Sequence, residues 1–140
     1  MNVVLDTNVV VSAIISPNGS TARIIDAWRS GRLTWILSPP LLAELRRVLR
    51  DPKLDRYVKS RRREVDEFVA EVAAITTIVD PREFLSVIES DESDNRVLEA
   101  AEEGAADYIV SGDKDLLGLG SYQGMEIVTP ARFLAILAST

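Results

Sequence analysis

Two rhythms alternate along the chain. Short apolar runs occur at residues 2–5, 34–37, 75–79, 108–110 and 127–128. Each is stopped by a polar or turn-forming residue, which is the signature of short buried strands. Between them apolar positions recur every three or four residues. Val9, Val10, Ala13 and Ile14 mark a helix over 7–15, and Ile24, Ile25 and Trp28 mark another over 21–29, separated by the turn Ser16-Pro17-Asn18-Gly19-Ser20. Ser38-Pro39-Pro40 is a helix start, with a capping serine and prolines in a first turn that has no intrahelical donors. A helix follows over 41–49, and another fills much of 53–74, broken near Asp51-Pro52. Residues 94–103 are helical and close at Gly104, and Pro130 opens a last helix to residue 137. Strands alternating with helices predict an α/β sandwich around a central, largely parallel sheet. No repeat, low-complexity tract or linker interrupts the pattern, so residues 1–140 read as a single domain.

In such sheets functional groups gather at the carboxyl ends of the strands. Asp6 directly follows the first strand, and Asp113 lies three residues beyond the run at 108–110. Either alone has a plainer reading as a turn aspartate. Glu44 and Asp94 break a pattern instead. Glu44 sits three residues after Leu41 and four before Val48, on or beside the apolar stripe of its helix. Asp94 leads Val97, Leu98 and Ala101 at helical spacing, so its carboxylate belongs to the inward face, while Arg96, Glu99, Glu102 and Glu103 are expected to point outward. The plainer readings are a helix edge for Glu44 and an N-cap for Asp94.

Composition narrows the chemistry. The chain has no cysteine and no histidine, which excludes disulfides, thiolate or imidazole metal sites, a cysteine nucleophile and a Ser-His-Asp triad. Four carboxylates brought together repel one another, and burying them costs several kcal/mol per charge without compensation. A divalent cation supplies that compensation. An oxygen-only ligand set selects Mg²⁺ or Mn²⁺, which in such sites serve phosphodiester hydrolysis.

The net charge of −6 argues against a nucleic-acid partner, but its distribution does not. Between Arg46 and Arg63 lie nine of the sixteen basic residues and only two acids, Asp51 and Asp55. That segment is either a solvated helix face or a landing strip for phosphates beside an acidic site, with Arg46, Arg47 and Arg50 as the candidate RNA-binding side chains. No run approaches the roughly 20 apolar residues that span a bilayer, and no basic leader precedes the N-terminal apolar run. The expectation is a cytoplasmic protein with no membrane contact.

Four blocks in order carry a family resemblance: Val3-Val4-Leu5-Asp6-Thr7-Asn8-Val9, Pro40-Leu41-Leu42-Ala43-Glu44-Leu45, Asp91-Glu92-Ser93-Asp94-Asn95, and the stretch from Asp107 through Ser111-Gly112-Asp113-Lys114-Asp115 to Leu117. Together they resemble PIN-domain proteins, and more narrowly the VapC-like toxin components of toxin–antitoxin systems. The resemblance implies a three-layer α/β/α fold and metal-dependent cleavage of RNA. It implies Asp6, Glu44, Asp94 and Asp113 as the catalytic acids, with Asp6, Asp94 and Asp113 holding Mg²⁺ or Mn²⁺ and Glu44 completing the set. Asn8 matches a residue that orients the first aspartate, Ser111 a hydroxyl position behind the metal ligands, and Asp115 an extra acid nearby. Asp91 competes for the role given to Asp94, which is preferred for its inward register. A small antitoxin partner and a homodimer are further implications. The alternatives are a stand-alone RNA-processing nuclease and a catalytically inactive interaction module of the same fold.

Rival chemistries fit less well. A phosphotransferase with an aspartyl nucleophile wants a second Asp two residues on, and Asn8 stands there. A nucleotide-binding turn wants glycines after the first strand, and Asp6-Thr7-Asn8-Val9 has none.

Overall fold

In the computed structural model, residues 1–89 and 91–140 are described. The strands are β1 (Asn2–Leu5), β2 (Thr34–Leu37), β3 (Thr77–Ile78), β4 (Tyr108–Val110), β5 (Ser121–Tyr122) and β6 (Met125–Val128). The helices are α1 (Thr7–Ile15), α2 (Ser20–Arg29), α3 (Pro39–Leu49), α4 (Asp55–Val58), α5 (Arg62–Ile75), α6 (Glu92–Glu103), α7 (Lys114–Leu119) and α8 (Pro130–Ala138). The strands form one sheet in the order β3-β2-β1-β4-β6-β5. All pairings are parallel except β5 with β6. Helix α2 packs on α1 and α8, and α6 lies across β1, β2 and β4. The expected three-layer α/β/α sandwich is the result.

The central strands explain why the sequence runs apolar there. Val3, Val4, Ile109 and Val110 are fully buried, because helices cover both faces of the parallel sheet. The strand order reverses between β1 and β4: the chain first builds β2 and β3 on one side of β1, then crosses back to its other side. The crevice at such a reversal, outside the carboxyl ends of the two strands, is where open α/β sheets place their ligands.

Several boundaries differ from the sequence reading. The helix expected over 53–74 is divided. Pro52–Leu54 and Lys59–Arg61 are 3₁₀ turns on either side of α4, and only α5 is long. The Asp51 side chain caps the first of these turns by accepting from Lys53 N–H at 3.0 Å. The strand expected over 75–79 shrinks to Thr77–Ile78, because α5 runs to Ile75 and the Thr76 hydroxyl donates back to Val72 O at 2.6 Å. Helix α7 and strand β5 are additions to the elements the pattern predicted. Gly104 ends α6 with an ordinary φ of −85°, not a left-handed one. Glycine is required there by space, since a Cβ would lie 2.5 Å from Ile36 Cγ2.

Candidate functional site

Strand register builds the floor of the site. Leu5 pairs with Val110, so the next residues of β1 and β4, Asp6 and Ser111, come out side by side. Asp6 N–H donates to Val110 O at 2.9 Å, extending the ladder one step. The buried Ser111 hydroxyl then donates to Asp6 Oδ2 at 2.6 Å and accepts from Asp113 N–H at 2.9 Å. One serine thus links both strand-end aspartates. Asp113 in turn caps α7, its Oδ1 accepting from Asp115 N–H at 2.8 Å and Leu116 N–H at 3.1 Å.

Helix α6 supplies the wall. Its N-cap is Asp91, whose Oδ1 accepts from Ser93 N–H at 2.9 Å and the Ser93 hydroxyl at 2.6 Å. Asp94 is therefore released from the capping role and lies one turn further on, 3% exposed. One carboxylate oxygen from each of Asp91, Asp94 and Asp113 lies within 4.8 Å of the others. Glu44, half-buried on α3, lines the same opening. These acids, with Asp6, Thr7, Asn8 and Ser93, line a cleft of about 420 Å³.

The electrostatics follow from that crowding. Burial, then hydrogen bonding and repulsion from Asp113, then the charges of Asp91 and Asp6, raise the Asp94 pKa from 3.8 to about 8. Burial pushes Asp6 up, with the Ser111 hydrogen bond pulling back and Asp113 and Asp91 adding repulsion. Burial and then Asp6 push Glu44 up, against a hydrogen bond from Thr7 and the charge of Arg47. Among the described residues no ion pair reaches Asp6, Glu44, Asp91, Asp94 or Asp113. Asp94 Oδ2 is buried and, among the described residues, has no hydrogen-bond partner. A hard divalent cation fits this donor set: the ligands are all oxygens, no ion pair among the described residues offsets Asp91, Asp94 and Asp113, and a buried carboxylate oxygen stands unused.

All four predicted acids line one cleft, but the tight cluster is Asp91, Asp94 and Asp113, with Asp6 beside it and bound to Ser111. Asp91, the competitor for the role given to Asp94, lies in the same cluster with it. The available signal was the Asp91-x-Ser93 capping pattern, which starts the helix at Glu92 and sets residues 91 and 94 a turn apart on one face. Asn8 is exposed at the cleft wall, while Ser111 is the side chain that holds Asp6. Asp115 is exposed on α7, and its backbone N–H serves Asp113. The expectation that Arg96 and Glu99 point outward is overturned. Glu99 is 5% exposed, paired with Arg96 at 2.8 Å and accepting from Leu85 N–H at 2.7 Å. Arg82, Leu85 and Ile88 of the preceding segment bond to Glu103, Glu99, Arg96 and Asn95 and cover that face of α6.

The basic segment also divides. Arg61 donates to Ile14 O at 2.7 Å and Arg62 to Leu49 O at 3.1 Å, so both hold carbonyls at helix C-terminal ends. Arg46 and Arg50 line a groove against α5 with Arg62 and Asp66. Arg47, one turn from Glu44 and acting on its charge, is the arginine of the three nearest the acids.

The chain is thus a mostly parallel α/β/α sandwich with Asp6, Glu44, Asp91, Asp94 and Asp113 lining one cleft. The sequence profile of the PIN domain matches residues 2–115, and the chain belongs to that family. The protein MJ1680 of Methanocaldococcus jannaschii is 34% identical over 119 residues, covering 85% of this chain and 75% of that protein. The crystal structure of PAE2754 from Pyrobaculum aerophilum superposes with a TM-score of 0.68 at 16% identity, covering 100% of this chain and 91% of that one. VapBC2 from Rickettsia felis, solved bound to a DNA fragment from its promoter, gives a TM-score of 0.59 at 17% identity, covering 92% of this chain and 98% of that one. Among the described residues no helix is long and apolar enough to cross a membrane.

Proposed function

We propose that the chain is a divalent-metal-dependent endoribonuclease and the toxin of a toxin–antitoxin pair. PIN domains are in general nucleases, and the fold it shares with VapBC2 favours the toxin reading. The observation that carries the metal is the convergence of Asp91, Asp94 and Asp113 on one point, with Asp94 Oδ2 buried and, among the described residues, unpartnered. These three residues would hold Mg²⁺ or Mn²⁺, with Asp6 as a further carboxylate at the same wall. When bound, the ion supplies an electrophile that neutralises phosphodiester charge and acidifies an attacking water.

The chain's own side chains do the rest. Ser111 holds the Asp6 carboxylate in one orientation and ties it to the Asp113 backbone. Glu44, whose pKa burial and then Asp6 raise above its ordinary value, would accept a proton from an incoming water. Arg47, beside it, offers a cation to an RNA phosphate at the cleft mouth. The same carboxylates left bare would repel a polyanion.

The test is cleavage of a structured RNA with Mn²⁺, with EDTA, and by Asp94→Asn, together with growth of a bacterial host expressing each form. Loss of cleavage in EDTA and in Asp94→Asn, and growth arrest by the wild type alone, is the expected result. Cleavage that survives chelation removes the metal from the account. Cleavage without growth arrest replaces the toxin with a processing nuclease.

A further inference from the structure

Asp91, half-buried like Asp113, stands at the end of a long connection rather than inside an element. Its position must be fixed by something beyond its own helix cap. Asn95 lies one turn into α6, 2% exposed, and its amide pairs with the backbone of Ile88 in both directions. Oδ1 accepts from Ile88 N–H at 2.8 Å and Nδ2 donates to Ile88 O at 2.7 Å. The same Nδ2 lies 3.5 Å from Asp91 O, a longer contact in the same direction. One buried amide therefore spans both ends of residues 88–91.

Its neighbours on α6 hold the preceding stretch. Glu99 accepts from Leu85 N–H at 2.7 Å, Arg96 donates to Leu85 O at 3.1 Å, and the Arg96 guanidinium lies 4.0 Å from the Phe84 ring centre. A plain loop-anchoring role needs only some of these contacts. What singles out Asn95 is that it joins Ile88 to the residue whose carboxylate enters the cluster.

We propose that Asn95 is a positioning residue for Asp91, setting where that carboxylate meets Asp94 and Asp113. The inference rests on the metal-site reading above. Side chains that orient metal ligands without touching the metal set affinity by about 10- to 100-fold.

Calorimetric Mn²⁺ titration of wild type, Asn95→Ala, Asp91→Asn and the double variant tests it. Asn95→Ala should weaken Mn²⁺ binding about tenfold, whereas adding it to Asp91→Asn should change nothing further, because the ligand it positions is already gone. A merely structural role would lower the melting temperature in both backgrounds and leave Mn²⁺ affinity unchanged or equally weakened in both, and either pattern overturns the inference while sparing the metal site. A wild type that takes up no Mn²⁺ overturns both readings. Should Asn95→Ala not fold, Asn95→Ser, with its smaller hydroxyl, enters the same cycle.

Discussion

Burial raises the free energy of an ionised carboxylate, and the cleft acids feel this to different degrees. Asp94 is nearly sealed and faces three other acids, so the folded chain keeps a proton there that the unfolded chain releases near the ordinary value of 3.8. A pKa raised by folding adds stability only while the group is protonated. The metal-free protein should therefore lose stability as pH climbs from about 4 through about 8, by a few kcal/mol at most. Chemical denaturation at about pH 5 and about pH 8.5 reads this directly. Asp94→Asn should flatten that slope and raise stability at the higher pH while abolishing cleavage, whereas an unchanged slope would deny Asp94 its protonated state. Ser111→Ala strips Asp6 of its hydrogen bond in a buried site and should cost about 1–3 kcal/mol, read by denaturation, with weaker Mn²⁺ binding. At this scale Glu44 and Asp94 were legible because each interrupts an apolar stripe, and Asp6 and Asp113 because they follow the ends of apolar runs. Asp91 and Asn95 were less so, since their roles depend on how a loop returns.

Among the elements, α6 does the most to shape the site. It carries Asp91 and Asp94, packs across three strands, and ends at Gly104 against β2. Gly104→Ala pushes a methyl into Ile36 and should destabilise by about 1–3 kcal/mol, seen as a lowered melting temperature. A neutral outcome would mean that Ile36 yields freely. Helix α3 shows how a charge run deceives. Arg46, Arg47 and Arg50 are close in sequence, but α-helical geometry turns Arg47 toward Glu44 and Arg46 and Arg50 toward α5. Arg47→Ala should weaken RNA binding and lower its salt slope by about one, and Arg46→Ala should do so less. Equal effects from all three would restore the landing strip as a single surface. The helices and long strands were legible from period. The division at residues 52–61 was not, because 3₁₀ turns, Asp51 capping and arginines reaching helix-end carbonyls leave no periodic trace.

For the molecule as a whole, strand order explains why acids spread from residue 6 to residue 113 converge. Alternation of strands and helices made the layered α/β fold legible, but not the crossing back from β3 to β4 that sets Asp6 beside Ser111. That crossing depends on long-range pairing, on which local pattern is silent. Among the described residues the cluster left by it gathers carboxylates that no ion pair reaches, an arrangement that favours whatever ion offsets it. Ligand bound by the native state raises stability by about 2.7 kcal/mol at a hundred times its Kd. The most direct measurement is the melting temperature of the wild type and of Asp94→Asn as Mn²⁺ is titrated from micromolar to millimolar. The wild type should climb by several degrees with rising Mn²⁺ while Asp94→Asn stays flat. A wild-type melting temperature that does not move at millimolar Mn²⁺ contradicts the metal site.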